Sequence, residues 1–229
     1  MEAVVLAGGK GTRLRSIIHD IPKPMALINN KPFLEYIFRF LEKNGVTRIV
    51  LSVGYKWEFI QKYFGNRYND IVLIYSIDNE FYETGGALKN ALSKVISDEI
   101  YVIHGDTYFD IDLSSIVLVK DSMICLSLKY MTECDRYGCV EQNKSGYVKK
   151  FTEKKYQKEG YINGGIYFLR KNIFDGFILN NKFSFENFME DNLKNLKITA
   201  QVFDAYFIDI GIPQDYEKAQ LDKYITFIE

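Results

Sequence analysis

Leu6-Ala7-Gly8-Gly9-Lys10-Gly11-Thr12-Arg13-Leu14 follows directly on the apolar run Ala3-Val4-Val5-Leu6. Such a run, bounded by turn residues, predicts a short buried first strand. The glycines at 8, 9 and 11 then remove side chains where the backbone must bend sharply and approach a ligand closely. Bare amides in such a loop can converge on an anion. Lys10 and Arg13 add positive charge, and Arg13 can grip phosphate oxygens with its planar fork. Downstream, Pro22-Lys23-Pro24 holds a lysine between two prolines. Each ring fixes its own φ and biases the residue before it towards extended backbone, so Lys23 sits on a stiff tether. A tethered lysine near a glycine-rich anion loop points to phosphate chemistry.

Outward from this loop, strands and helices alternate. Pro32 can occupy the first turn of a helix whose Leu34, Ile37, Phe38 and Leu41 form a buried face, with Gly45 as its stop. Arg48–Val53 reads as a second strand, about 56–64 as a helix that Trp57 starts, and Ile71–Tyr75 as a third strand. Leu88, Ala91, Leu92 and Val95 share helical spacing, and Ile100–Ile103 is a fourth strand running into Gly105-Asp106. This alternation predicts an α/β, Rossmann-like, doubly wound and mainly parallel sheet. In such sheets ligands bind beyond the carboxyl ends of the strands, where the glycine loop and Asp106 both fall. After about residue 120 the segments Met123–Met131, Cys139–Gln142, Tyr147–Thr152 and Ile162–Leu169 suggest a meander or sheet extension. Ser184 is a plausible N-cap for a helix through about Asn195. Val202–Asp209 is strand-like, and Pro213 opens a final helix carrying Leu221, Tyr224, Ile225 and Ile228 on one face. His104, on an apolar strand, reads as a core histidine.

Composition narrows the classes. The 229 residues can bury a sizeable core, and an apolar content of 47% excludes a disordered chain. A net charge of -1 leaves no broad basic surface for nucleic acid, so any anion site must be local. No window approaches the length of a membrane span. The chain runs straight into its first strand, so no leader is expected. Cys125, Cys134 and Cys139 form no C-x-x-C pair and read as reduced thiols of a cytoplasmic protein. With only two histidines, far apart, a zinc site is not expected.

Common phosphate motifs do not fit. A Walker A loop needs Gly-Lys-Ser/Thr after its gap, and the dinucleotide pattern that begins at Gly9 and Gly11 meets Leu14 at its last position. The signature G-G-x-G-T-R-L followed by P-K-P instead resembles the sugar-nucleotide pyrophosphorylases, nucleotidyltransferases that join a nucleoside triphosphate to a sugar 1-phosphate. The similarity runs from Leu6 to Tyr216. Asp106, in Gly-Asp-Thr after a strand, resembles the family's metal-binding aspartate. Phe207-Ile208-Asp209-Ile210-Gly211-Ile212-Pro213 resembles its W-x-D-I-G-T-P segment, with Phe207 and Ile212 as departures. Phe151-Thr152-Glu153-Lys154 matches F-x-E-K, Asn163-Gly164-Gly165-Ile166-Tyr167 resembles N-x-G-I-Y, and Arg136-Tyr137-Gly138 resembles the R-Y-G turn. Glu83-Thr84-Gly85-Gly86-Ala87-Leu88 stands where the family has L-G-T-A-G-A, with Glu83 in place of the first glycine.

The resemblance implies attack of a sugar-phosphate oxygen on the α-phosphorus of a nucleoside triphosphate, with pyrophosphate leaving. Both reactants are anions, so the site must supply positive charge and alignment. Magnesium held by one or two carboxylates and the substrate phosphates meets that need, with Asp106 and Asp209 as its expected ligands. Leu6, Ala7, Gly8, Gly9, Gly11, Thr12, Arg13, Lys23, Glu80, Glu83, Thr84, Gly85, Gly86 and Asp106 are expected to bind the nucleotide, and Arg13, Lys23 and Asp106 to carry catalysis. Gly85 and Gly86 would admit a flat base whose edge free helix amides could read. Tyr137, Gly138, Glu153, Lys154, Asn163 and Gly164 would bind the sugar phosphate. The resemblance thus implies one catalytic domain over 1–229, with the nucleotide part about 1–120 and the sugar-phosphate part about 121–229, and a homodimer is the expected assembly. Ser16-Ile17-Ile18 and Glu83-Thr84-Gly85-Gly86 look most like the family's heptose 1-phosphate guanylyltransferase branch of bacterial capsule and lipopolysaccharide synthesis, which makes GTP the expected triphosphate. Guanine presents two adjacent donors that Glu83 or Glu80 could accept. A uridylyl- or thymidylyltransferase for a hexose 1-phosphate is the enzymatic alternative, and a regulatory subunit binding a sugar nucleotide without turnover is the non-enzymatic one.

Overall fold

The computed structural model describes residues 1–226 apart from 10, 15–16, 19–20, 79, 81, 133, 135–136 and 153–157. The expectations placed on Lys10, Ser16, Arg136, Glu153, Lys154 and Ile228 therefore lie outside the described residues. One eight-stranded sheet organises the chain. Its strands, in chain order, are β1 (Glu2–Leu6), β2 (Arg48–Val53), β3 (Arg67–Tyr68), β4 (Ile71–Ile77), β5 (Glu99–His104), β6 (Ile124–Thr132), β7 (Glu159–Arg170) and β8 (Thr199–Val202), arranged spatially β8-β6-β7-β5-β1-β2-β4-β3. β4, β2, β1 and β5 are mutually parallel, with Val4 in register with Val50 on one side and Val102 on the other. β7 runs antiparallel to both β5 and β6, so the sheet is mixed. Ala3, Val4 and Val5 are fully buried, as a parallel strand covered on both faces requires.

Helices cover both faces. α1 (Phe33–Lys43) and α2 (Trp57–Phe64) pack on one; α3 (Glu83–Leu92) and α4 (Phe185–Asp191) pack on the other. Side-chain alternation in β5 assigns Ile103 to the first core and Val102 to the second. From β1 the chain first winds towards β4, then returns to place β5 on the other flank of β1. The winding direction therefore reverses between β1 and β5, whose carboxyl ends flank the topological switch point.

Several expectations are corrected. Pro32 stands just before α1 rather than in its first turn. Val95 lies beyond α3, in the turn that follows it. Residues 202–209 are not one strand: β8 ends at Val202, and Phe207–Asp209 pairs elsewhere, antiparallel to Thr107–Phe109. Of the two arrangements expected for the second half, the sheet extension is the one found: β6, β7 and β8 continue the sheet, and because β8 joins parallel to β6 they are not a simple meander. The helix from Pro213 ends at Leu221, because Asp222 is extended and Lys223–Thr226 forms a separate turn. Leu221 is consequently exposed while Ile225 is buried. Ser184 does cap α4, its Oγ accepting from the Asn187 amide at 3.2 Å.

Candidate active site

A cavity of about 890 Å³ opens at the switch point. Leu6, Ala7, Gly8 and Gly9 line it from the loop after β1, Lys23 and Pro24 from the tether, and His104, Gly105 and Asp106 from the end of β5. Ser52, Gly54, Tyr55, Asp78, Glu80, Tyr82, Glu83 and Thr84 complete the side towards β2 and β4, and Ser184 and Glu186 the side of α4.

Gly11 has φ +59°, and a Cβ there would lie 2.9 Å from Lys23 Cβ. A side chain is excluded at this point because the lysine tether packs against the turn. The following turn, Thr12–Leu14, buries Leu14 and leaves Thr12 and Arg13 exposed, outside the cavity wall. Lys23 is buried and its ammonium is hydrogen-bonded to the Asp106 carboxylate.

Asp106 and Asp209 are brought together by backbone pairing. Phe207–Asp209 pairs with Thr107–Phe109 so that Asp209 faces Thr107, and the Ile210 amide donates to the Asp106 carbonyl at 3.0 Å. Burial opposes ionisation of Asp106. The Lys23 ammonium, His104 and hydrogen bonds from Lys23 and Thr107 outweigh it, holding the carboxyl below its ordinary value. Asp209 moves the other way, to about 6, because burial and the Asp106 charge exceed the help from Lys23 and the Gly211 amide. Two hard oxygen donors that repel one another, one of them sharing a cavity wall with an anion-binding loop, are a donor set suited to a divalent cation shared with substrate phosphates. No larger metal-ligating cluster occurs among the described residues.

The start of α3 corrects the expectation for its glycines. The amides of Gly85 and Gly86 both donate to the Phe183 carbonyl, at 2.9 and 3.2 Å, and neither residue lines the cavity. A Cβ on Gly85 would strike the Phe183 ring at 2.3 Å, and one on Gly86 the Asn181 carbonyl oxygen at 1.9 Å. These glycines let α3 close on the segment before α4. Glu83 adopts φ +59°, a left-handed conformation costly for a side-chain residue, and its carboxylate reaches Lys182 at 3.6 Å.

Asp78, which sequence reasoning passed over, lies on the cavity wall after β4. Its carboxylate accepts from Asn90 Nδ2 at 2.9 Å and Ser52 Oγ at 3.4 Å, and burial raises its pKa against those bonds. Only its position one residue past a strand end could have marked it.

His104 is not the core histidine expected. Its ring borders the cavity, with Nε2 3.3 Å from the Tyr167 hydroxyl and 3.7 Å from Glu186 Oε1. Tyr167 in turn accepts from Asn163 Nδ2 at 2.7 Å, while Asn163 Oδ1 accepts from the Gly165 amide at 3.0 Å. Gly164 sits against the Phe109 ring, which a Cβ would meet at 2.6 Å. Tyr137 stands beside Phe207, ring centroids 6.2 Å apart, and Gly138 lies against the Thr152 carbonyl. Tyr137, Gly138, Asn163 and Gly164 thus lie outside the lining of this cavity, and Asn163 connects to it through Tyr167 and His104.

The nucleotidyl transferase family model matches residues 2–224. A D-glycero-alpha-D-manno-heptose 1-phosphate guanylyltransferase of Campylobacter jejuni is 54% identical over 216 residues, covering 94% of this chain and 97% of that protein. Its namesake from Aneurinibacillus thermoaerophilus is 48% identical, with 98% and 100% covered. Among solved structures, HddC from Yersinia pseudotuberculosis complexed with GMP-PN superposes with a TM-score of 0.81 at 39% identity, covering 96% of this chain and 98% of that one. With the loop, tether and paired aspartates in place and the match spanning nearly its whole length, this chain belongs to the nucleotidyl transferase family.

Proposed function

We propose that this enzyme is a sugar-1-phosphate guanylyltransferase, joining GTP to D-glycero-α-D-manno-heptose 1-phosphate to give GDP-heptose and pyrophosphate. The observation that carries the reading is the convergence of the glycine loop, Lys23 and Asp106 on one switch-point cavity, with Asp209 brought next to Asp106 by strand pairing although it does not itself line the cavity. The 54% and 48% relatives support the guanine and heptose assignments. In this reading the glycine loop receives the triphosphate and Arg13 closes on it from outside. Lys23 stabilises the charge that develops as the acceptor oxygen attacks the α-phosphorus in line and pyrophosphate departs. Asp106 and Asp209 would hold magnesium, which supplies further neutralisation of the phosphates. Glu153 and Lys154 would grip the sugar and its phosphate, bordered by Tyr137, Gly138, Asn163 and Gly164.

Guanine recognition is assigned to the carboxylates on the β4 side of the cavity. Asp78 and Glu80 can accept its ring N–H and exocyclic amine, whereas uracil and thymine would present a carbonyl to them. Glu83, turned to Lys182, is the weaker candidate. Catalysis in the cytoplasm, where triphosphates are available, and homodimer assembly complete the proposal; no helix among the described residues is long and apolar enough to cross a membrane. The test is pyrophosphate release with GTP, UTP, dTTP and ATP against a panel of sugar 1-phosphates, repeated on Asp78→Asn, Glu80→Gln and Glu83→Gln. Preference for UTP or dTTP would remove the guanine assignment. Preference for GTP surviving all three substitutions would remove its mechanism. Sedimentation of the purified enzyme decides the dimer.

A further inference from the structure

The cavity wall contributed by α4 has no role in the reading above. Glu186 is its centre. Its Oε2 accepts from Thr84 Oγ1 at 2.7 Å and from Ser184 Oγ at 2.8 Å, while Oε1 stands 3.7 Å from His104 Nε2, too far for a hydrogen bond. Thr84 also accepts from the Phe185 amide at 2.9 Å, so one hydroxyl clamps the starts of α3 and α4 together and aims the carboxylate. Burial opposes its charge, yet His104 and the Thr84, backbone and Ser184 bonds keep Glu186 below the ordinary glutamate value. One oxygen of a fixed, ionised carboxylate is therefore left bordering the cavity beside an imidazole.

Sheet order indicates which reactant this oxygen meets. Asp78 and Glu80 follow β4, the glycine loop follows β1, and Asp106 follows β5. Base, phosphates and metal ligands are thus laid out from β4 towards β5. His104 ends β5 on the flank next to β7, and it connects through Tyr167 to Asn163 on β7. Thr84, on the β4 side, holds Oε2 of Glu186, while Oε1 turns to His104 at the end of β5, so it is this second oxygen that faces the β5 end of that line. A molecule bound there through its phosphate presents a polyhydroxylated ring, and a carboxylate is a strong acceptor for paired hydroxyl groups.

We propose that Glu186 is a specificity-determining residue that accepts hydrogen bonds from ring hydroxyls of the acceptor sugar, with Thr84 and Ser184 as the positioning residues that hold it. This rests on the sugar-1-phosphate reading given above. The experiment uses the full-length enzyme and steady-state kinetics with GTP and the acceptor varied in turn. The acceptors are the heptose 1-phosphate, mannose 1-phosphate and its monodeoxy derivatives.

Glu186→Gln keeps the shape and an oxygen for Thr84 and Ser184. It should lower kcat/KM for the acceptor about 10- to 100-fold, mainly through KM, and leave KM for GTP within about twofold. Wild type should lose a similar factor on the monodeoxy acceptor that lacks the contacted hydroxyl, and Glu186→Gln should lose little more on that compound. Glu186→Asp, which withdraws the carboxylate but keeps its charge, should reproduce the acceptor defect. A rise in KM for GTP alone would move Glu186 to the nucleotide and overturn the proposal. Unchanged acceptor kinetics in folded Glu186→Gln and Glu186→Asp would reduce it to a clamp between helices. If wild type transfers to no sugar 1-phosphate, the parent reading falls and takes this one with it. If wild type turns over while the variants match it, only the role of Glu186 falls.

Discussion

The ammonium of Lys23 is hydrogen-bonded to the carboxylate of Asp106, 83 residues further along the chain. The lysine comes from a proline-flanked tether and the aspartate from the end of β5, so the contact joins the two sides of the switch point. In the absence of substrate, Lys23 holds Asp106 ionised. In the proposed reaction the same ammonium would share its charge with the phosphate oxygens of a bound triphosphate.

Lys23→Ala should therefore have two effects. Turnover should fall about 10²–10³-fold, the scale for loss of one preorganised donor. Stability should fall by about 1–3 kcal/mol, because Asp106 is left partly buried beside Asp209 without its partner. Lys23 is buried, so its truncation is not expected to act on activity alone. Turnover close to wild type in a folded variant would remove its catalytic role.

Asp209 makes stability depend on pH. Its folded pKa of about 6 lies above the ordinary aspartate value. Between roughly pH 4 and pH 6 the folded state binds more protons than the unfolded one, so stability falls as pH rises through that window. Asp209→Asn should flatten this fall. Added magnesium should raise the wild-type Tm more above pH 6 than below pH 5, and should do little for Asp209→Asn or Asp106→Asn. If the two carboxylates share the proposed ion, the two substitutions should be non-additive in activity, since that ion would be lost with either. Additive losses, or an unchanged magnesium shift in Asp209→Asn, would separate Asp209 from the metal.

Glu83→Gly should stabilise the protein. Glu83 holds φ +59°, where glycine carries no penalty. The gain expected is about 1 kcal/mol, or about 2–4 °C in Tm for a chain of this size, with GTP preference retained. A lower Tm would mean that the Lys182 contact outweighs the backbone strain; a lost GTP preference would restore Glu83 as a base reader.

Gly86→Ala should do the opposite. Its new methyl group would lie 1.9 Å from the Asn181 carbonyl oxygen, so α3 must retreat from the segment before α4. Overpacking of this kind costs about 1–3 kcal/mol. Because the retreat also loosens the Thr84–Glu186 hydrogen bond, acceptor kinetics should suffer with stability. A variant as stable as wild type would show that the helices can slide without cost.

The sequence by itself determined the parallel half of the sheet and the ends of its strands. β2 falls at Arg48–Val53 as its apolar run predicts, and the glycine loop and Asp106 follow β1 and β5 as expected. Those features are local: a buried parallel strand is a continuous apolar run, and the turn that ends it needs glycine. The second half was less legible. Residues 202–209 form an equally β-prone run, yet backbone pairing divides it, sending its first part to β6 and its last to Thr107–Phe109. Periodicity reports that a residue is buried, not what it is buried against. That is why His104 read as core although its ring borders the cavity, and why Gly85 and Gly86 read as a base platform although they face Phe183 and Asn181. The same limit hid Glu186. Nothing near it in sequence marks it as functional, and only the docking of α4 on α3 brings it to Thr84, 102 residues away, and to His104. Side-chain chemistry and backbone freedom are written locally, whereas the charge and hydrogen-bond environment of each group depends on contacts between distant segments that exist only once the sheet has closed its order.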